Sequence, residues 1–136
     1  MPAEATESYP CPCCGYDVFS EPVGSYEICP ICFWEDDLVQ LAFPDLSGGA
    51  NKCSLIEGQH NYAQAAVCEE RLAAHVRRAD ASDKRSTGWR PLDPTRDRYL
   101  RWENAADHEV WDSVKNDPER CDYYWLPNYW LAQRQA

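Results

Sequence analysis

The sequence predicts a small α+β domain on three observations. Two cysteine pairs written alike lie near the N-terminus with alternating residues between them, a capped and periodic helix follows, and an aromatic block lies near the C-terminus. With 136 residues and 44% hydrophobic content, residues 1–136 suit a single domain, because a chain of about this length buries roughly two thirds of its unfolded surface. Within it, residues 9–37 form the cysteine-bearing hairpin, 54–80 the central helix, and 89–136 a C-terminal extension whose aromatic segment packs around the rest.

The two pairs are Cys11-Pro12-Cys13-Cys14-Gly15 and Cys29-Pro30-Ile31-Cys32-Phe33. Each reads C-P-x-C, a spacing that folds into a tight knuckle and aims both sulfurs at one point. Proline fixes φ on entry to the turn, and Gly15 supplies a permissive conformation on exit. Two such knuckles satisfy the four-coordinate preference of a structural Zn²⁺ and leave no position open for water or substrate. One zinc held by Cys11, Cys14, Cys29 and Cys32, in a zinc ribbon, is therefore expected. Cys13 is a possible substitute for Cys11, but only the Cys11 to Cys14 spacing mirrors the second pair. Eight cysteines also allow a disulfide scaffold, yet Met1-Pro2-Ala3-Glu4-Ala5 lacks the basic and apolar regions of a secretory leader. A redox role for C-x-x-C needs a thioredoxin-like βαβ setting and usually a single pair.

Between the knuckles, Tyr16-Asp17-Val18-Phe19 alternates, Gly24-Ser25 turns, and Tyr26-Glu27-Ile28 leads into the second knuckle, which predicts a β-hairpin of 16–19 with 26–28. Phe33-Trp34 puts aromatic bulk against the site. Glu35-Asp36-Asp37 then reads as a helix-start charge run or a solvated turn, since three adjacent acids cannot all face one point on a regular element. Residues 43–51, with Pro44 and Gly48-Gly49, form a loop. Ser54-Leu55-Ile56-Glu57 has the form of a capping box. Gly58 weakens the first turns, so the firmer helix starts nearer Asn61, with Tyr62, Ala65, Ala66, Leu72, Ala73 and Val76 as its apolar stripe. A polar connector over 82–97 is anchored by Trp89. Asp93-Pro94 opens a short helix through Tyr99 and Trp102, and 105–115 forms another with Val110, Trp111 and Val114 inward. Tyr123-Tyr124-Trp125 and Tyr129-Trp130 pack back on the domain.

The formal net charge is −10, and a zinc bound by four thiolates contributes about −2 more. Such a surface disfavours a phosphate backbone and suits a basic protein partner. Arg71, Arg77, Arg78, Lys84, Arg85 and Arg90 cluster, but acids interleave with them. No window has the ~18 to 20 consecutive apolar residues of a membrane span, and the expected location is cytoplasmic. Cys13, Cys53, Cys68 and Cys121 then stay reduced, mostly as small buried hydrophobes.

Cys11-Pro12-Cys13-Cys14-Gly15-Tyr16, Tyr26-Glu27-Ile28-Cys29-Pro30-Ile31-Cys32-Phe33-Trp34-Glu35-Asp36-Asp37, Gly48-Gly49-Ala50-Asn51, Ser54-Leu55 and Asn61-Tyr62 together resemble the bacterial cysteine-rich CPCC family over roughly residues 9–80. The resemblance implies a small bacterial zinc-binding protein and carries no biochemical activity with it. The tail from about Trp89 lies outside it.

Catalytic signatures are missing around the serines and around His60, His75 and His108, so no enzyme is expected. The least implausible polar cluster is Glu35, Asp36, Asp37 and His60, and the 46–51 loop with His60-Asn61 only loosely resembles an HNH nuclease, with no histidine before the glycine pair. The leading expectation is a non-enzymatic, zinc-stabilised protein-binding domain. Its concrete version is an acidic immunity protein or antitoxin that neutralises a basic toxin through its acidic surface and aromatic tail. The alternative is a ribbon that binds nucleic acid through Arg77, Arg78 and Arg85.

Overall fold

The computed structural model describes residues 8–133. An N-terminal antiparallel strand pair is followed by three α-helices, and the cysteines sit where the strands turn, in keeping with the α+β expectation. The pairing differs from the one the alternation suggests. Strand β2 (Asp17–Phe19) pairs back with β1 (Tyr9–Pro10), in register Tyr9 to Phe19. Residues 26–28 instead pair forward: Tyr26 N–H donates to Asp36 O, Asp36 N–H to Glu27 O, and Ile28 bridges Glu35. A C-P-x-C knuckle reverses the chain, so the segments entering and leaving it become neighbours. Each knuckle therefore tips its own hairpin.

Helix α1 (Leu38–Ala42) begins where the acid run ends, because the Asp37 carboxylate accepts from Val39 N–H and Gln40 N–H. Asp37 also accepts from Ala50 N–H, and Asp36, 1% exposed, accepts from Ser25 Oγ–H at 2.7 Å. Asp36 and Asp37 are thus buried structural groups and do not form a solvated turn.

The 43–53 loop is folded onto Gln40, a fully buried polar side chain. Its Nε2 donates to the carbonyls of Leu46, Asn51 and Cys53, and its Oε1 accepts from Asn51 N–H and Asn51 Nδ2. Asn51 in turn exchanges hydrogen bonds with both backbone groups of Glu35. Gly49 lies against this network, where a Cβ would stand 2.8 Å from Gln40 Cδ and 2.9 Å from Asp37 Oδ2.

Helix α2 (Leu55–Ala65) opens on a complete capping box between Ser54 and Glu57. It begins before Gly58, not near Asn61. The glycine is a contact surface here: a Cβ would lie 3.2 Å from Cys13 Sγ and 3.4 Å from the Trp34 ring. The helix ends fifteen residues short of the 54–80 expectation. Ala66 turns left-handed (φ 59°), and Val67 and Cys68 drop into the core. Cys68 N–H then donates to Cys32 O at 2.8 Å, a bond that a continuing helix would have directed to its own backbone. Residues 70–75 form a 3₁₀ turn with no buried side chain, so the Leu72 to Val76 half of the apolar stripe is not helical core.

No helix forms over 94–102, where Asp93 caps a turn by accepting from Thr95 N–H and Thr95 Oγ1–H. Helix α3 (Ala105–Val114) is capped by Asn104 and buries Trp111, with Val110 and Val114 half-buried. Arg120 lies over the Trp111 ring, donates to the carbonyls of Val114 and Lys115 at the end of α3, and pairs with Asp122, both partners being nearly inaccessible. Tyr124, Trp125, Tyr129, Trp130 and Leu131 are buried in the same apolar cluster as Cys11, Trp34 and Leu55, so the aromatic tail packs back as expected. Among the described residues no helix is long and apolar enough to cross a membrane.

Removing Asn51 leaves backbone and Gln40 groups buried without partners. Asn51→Leu should therefore lower the unfolding free energy by about 3 kcal/mol, whereas Lys52→Ala, at an exposed site, should change it by less than about 0.5 kcal/mol. Urea denaturation of the metal-loaded protein measures both.

Candidate metal centre

The two knuckles repeat one backbone pattern. Cys11 N–H donates to Tyr16 O and Gly15 N–H to Cys11 O; Cys29 N–H donates to Trp34 O and Phe33 N–H to Cys29 O. The fifth residue of each is left-handed, Gly15 at φ 85° and Phe33 at φ 71°. Glycine adopts this conformation freely; phenylalanine does so at a cost of about 1 kcal/mol. At Gly15 the choice is enforced a second time, because a Cβ would lie 2.4 Å from the Trp89 ring. Phe33 instead sets its ring against His75, 5.4 Å between centroids.

The structure brings the sulfurs of Cys11, Cys14, Cys29 and Cys32 within 4.8 Å of one another, all of them fully buried. Cys11 Sγ stands 3.5 Å from Cys32 Sγ, and Cys14 Sγ 3.7 Å from Cys29 Sγ. Four sulfurs at tetrahedral corners about 2.3 Å from a zinc ion would be about 3.8 Å apart, so the donor set and its spacing fit such an ion. Ile31 N–H and Cys32 N–H both point at Cys29 Sγ, at 3.3 and 3.4 Å. Burial pushes the Cys11 and Cys32 thiols well up. At Cys29 burial also opposes ionisation, but hydrogen bonds from Cys11, Cys14 and Cys32 outweigh it and hold the pKa down. Four thiolates crowded in this space need a cation to offset their charge.

The carbonyls at the second and fourth position of each knuckle all accept hydrogen bonds from later chain. Pro12 O accepts from Gln59 Nε2 and Trp89 Nε1, and Cys14 O from Arg85 Nε. Pro30 O accepts from Arg77 N–H and Cys32 O from Cys68 N–H. Arg85 also lies over the Tyr16 and Trp89 rings, which makes it part of the wall around the first knuckle.

The other sequence candidates fall elsewhere. Cys13 is buried but outside the four-sulfur cluster. His60 is exposed on α2 with its ring against Gln64, while Asp36 and Asp37 serve Ser25 and backbone N–H groups. Arg77 pairs with Asp83 at 2.8 Å. Two features were missed from sequence. Gln59, 4% exposed, links Pro12 O, Tyr124 Oη and Leu92 N–H, and its only signal was a glutamine beside Gly58 in a helix start. Cys53 and Cys68 meet with Glu69, fifteen residues apart in sequence, with no spacing motif to announce it.

Structural tetrathiolate sites supply much of the folding free energy of small domains. Stripping the metal with a strong chelator should therefore collapse the near-UV circular dichroism of the tryptophans. Cys14→Ser or Cys29→Ser should do the same and weaken metal binding by about 100-fold or more, while Cys13→Ala leaves the ribbon site filled; competition against a chromophoric chelator reads the difference. Gly15→Ala should lower stability by at least about 2 kcal/mol through its positive φ and the Trp89 clash, measured by thermal unfolding.

Comparison with curated proteins finds no match to this chain. The family model described as cysteine-rich CPCC does match, over residues 9–83. That span holds both knuckles, the Asp37-capped helix, the Gln40 and Asn51 loop and all of α2, and it stops before α3 and the aromatic tail. With more than half of its length matched and its four knuckle sulfurs gathered at one point, the chain belongs to the cysteine-rich CPCC family.

Proposed function

We propose that this chain is a zinc-stabilised, non-catalytic binding domain that recognises a basic protein through an acidic surface centred on α3. The observation that carries the reading is the complete burial of all four knuckle sulfurs. A site with four protein donors and no exposed edge suits Zn²⁺ as a structural ion and offers no position for a substrate.

The surface for a partner is narrower than the sequence suggested. Asp36 and Asp37 are enclosed, and the aromatic tail is consumed in the core. Residues 103–119 instead carry six acids against one lysine. Of these, Glu103, Glu109, Asp112, Asp117 and Glu119 are exposed, and Asp112 is the one that Lys115 pairs with, at 3.0 Å. Acid clustered on a rigid helix and on the turns that flank it steers a basic partner and competes with phosphate for the same groove, which is what an immunity protein or antitoxin against a nucleic-acid-directed toxin requires. The nucleic-acid alternative loses support, since Arg77 is neutralised by Asp83 and Arg85 is built into the knuckle wall.

Native mass spectrometry of the protein purified gently from its own host tests the reading: a zinc-loaded chain with a basic polypeptide attached is expected. Charge reversal at Glu109 and Asp112 to lysine should then slow association with that polypeptide by about 10-fold at low salt, with the fold unchanged. An association rate indifferent to both charges, or recovery of bound RNA or DNA in place of a polypeptide, would overturn it.

A further inference from the structure

Outside the ribbon, Cys53, Cys68 and Glu69 converge from the two ends of α2. Cys53 immediately precedes the Ser54 cap, and Cys68 follows the left-handed turn at Ala66 that ends the helix. The chain then doubles back, so that Cys68 O accepts from Asn61 Nδ2 at 2.8 Å, and the Cys53 thiol faces Cys68 O at 3.6 Å. The two sulfurs and a Glu69 carboxylate oxygen lie within 4.8 Å of one another. Donors around one tetrahedral ion are about 3.5 to 3.8 Å apart, so three donors gathered within 4.8 Å are near the spacing that a single ion requires.

We propose that Cys53, Cys68 and Glu69 form a second metal site, distinct from the ribbon, for a thiophilic divalent cation, with Zn²⁺ as the best match. Two thiolates discriminate against Ca²⁺ and Mg²⁺, and a carboxylate as third donor suits Zn²⁺ better than Cu⁺. Three protein donors leave one tetrahedral position to water, so the ion here exchanges where the ribbon ion does not. Cys68 is fully buried and Cys53 8% exposed, whereas the Glu69 side chain is 16% exposed and provides the way in. Arg71 holds one carboxylate oxygen, Oε2, at 2.8 Å and orients the group, leaving Oε1 to the metal. Because Cys68 N–H bonds Cys32 O, filling this site also fixes the chain that covers the second knuckle.

Zinc titration of the reduced full-length chain, followed by native mass spectrometry and by competition with a chromophoric chelator, tests the assignment. Wild type should bind two equivalents, the second more weakly. Cys53→Ser with Cys68→Ser should bind one and keep the ribbon fold. Glu69→Gln, at a partly exposed position that spares the core, should keep both equivalents and weaken the second by at least about 10-fold. A single equivalent in wild type at saturating zinc, or a second equivalent of unchanged affinity in Glu69→Gln, would overturn the proposal, as would a Cys53 to Cys68 disulfide persisting in place of the second ion.

Discussion

Convergence of four sulfurs on one buried point is the constraint around which the rest of the chain is arranged. Each knuckle reverses the backbone in a few residues, with a left-handed fifth residue and two carbonyls that are met by later chain. Buried carbonyls without partners are costly, so the surrounding chain is recruited to meet them. Side chains of Gln59, Trp89 and Arg85 serve the first knuckle, and the backbone N–H groups of Arg77 and Cys68 serve the second. The early end of α2 follows from this: Cys68 N–H can reach Cys32 O only if the helix stops.

A chain of this size with little regular structure needs another source of order, and buried amides provide it. Gln40, Asn51 and Gln59 are each almost inaccessible and almost fully bonded, and each ties together segments remote in sequence. Such groups add modest net stability but discriminate sharply against misplacement, because a displaced segment strands several donors at once. The loop over 43–53 holds its shape this way without a helix or strand of its own, and Gly49 is small because Asp37 and Gln40 occupy the space beside it.

The part of the chain that follows the family match, from residue 84 on, is joined to the rest of the fold by packing and by a few polar contacts. Trp89 Nε1–H donates to Pro12 O, Tyr124 Oη accepts from Gln59 Nε2, Trp102 N–H donates to Asp45 Oδ1, and the Trp111 ring meets Phe43 edge-on. Arg120 closes the end of α3 and neutralises Asp122 in the same stroke. Trp111, Tyr124, Trp125, Tyr129 and Trp130 turn inward, Trp102 stays 39% exposed, and exposed acids lie on and around α3. The buried four-sulfur site and the acidic residues outside it are then separable features of the fold.

Local order was legible from sequence. The C-P-x-C spacing picked out the four converging cysteines, Ser54 and Glu57 marked the start of α2, and the 105–115 periodicity marked α3, because spacing, capping and amphipathic period act within a few residues. What lay beyond that range was decided by tertiary contact. The strands paired around each knuckle and not between knuckles, Gly58 turned from helix breaker into packing surface, Asp36 and Asp37 turned inward, and α2 ended where a distant carbonyl needed an N–H. Cys53 and Cys68 carry no motif, and only the doubling back of the chain after Ala66 brings them together with Glu69. A sequence states which groups need partners; which partner satisfies each depends on the three-dimensional path that leaves the fewest of them buried and unmet.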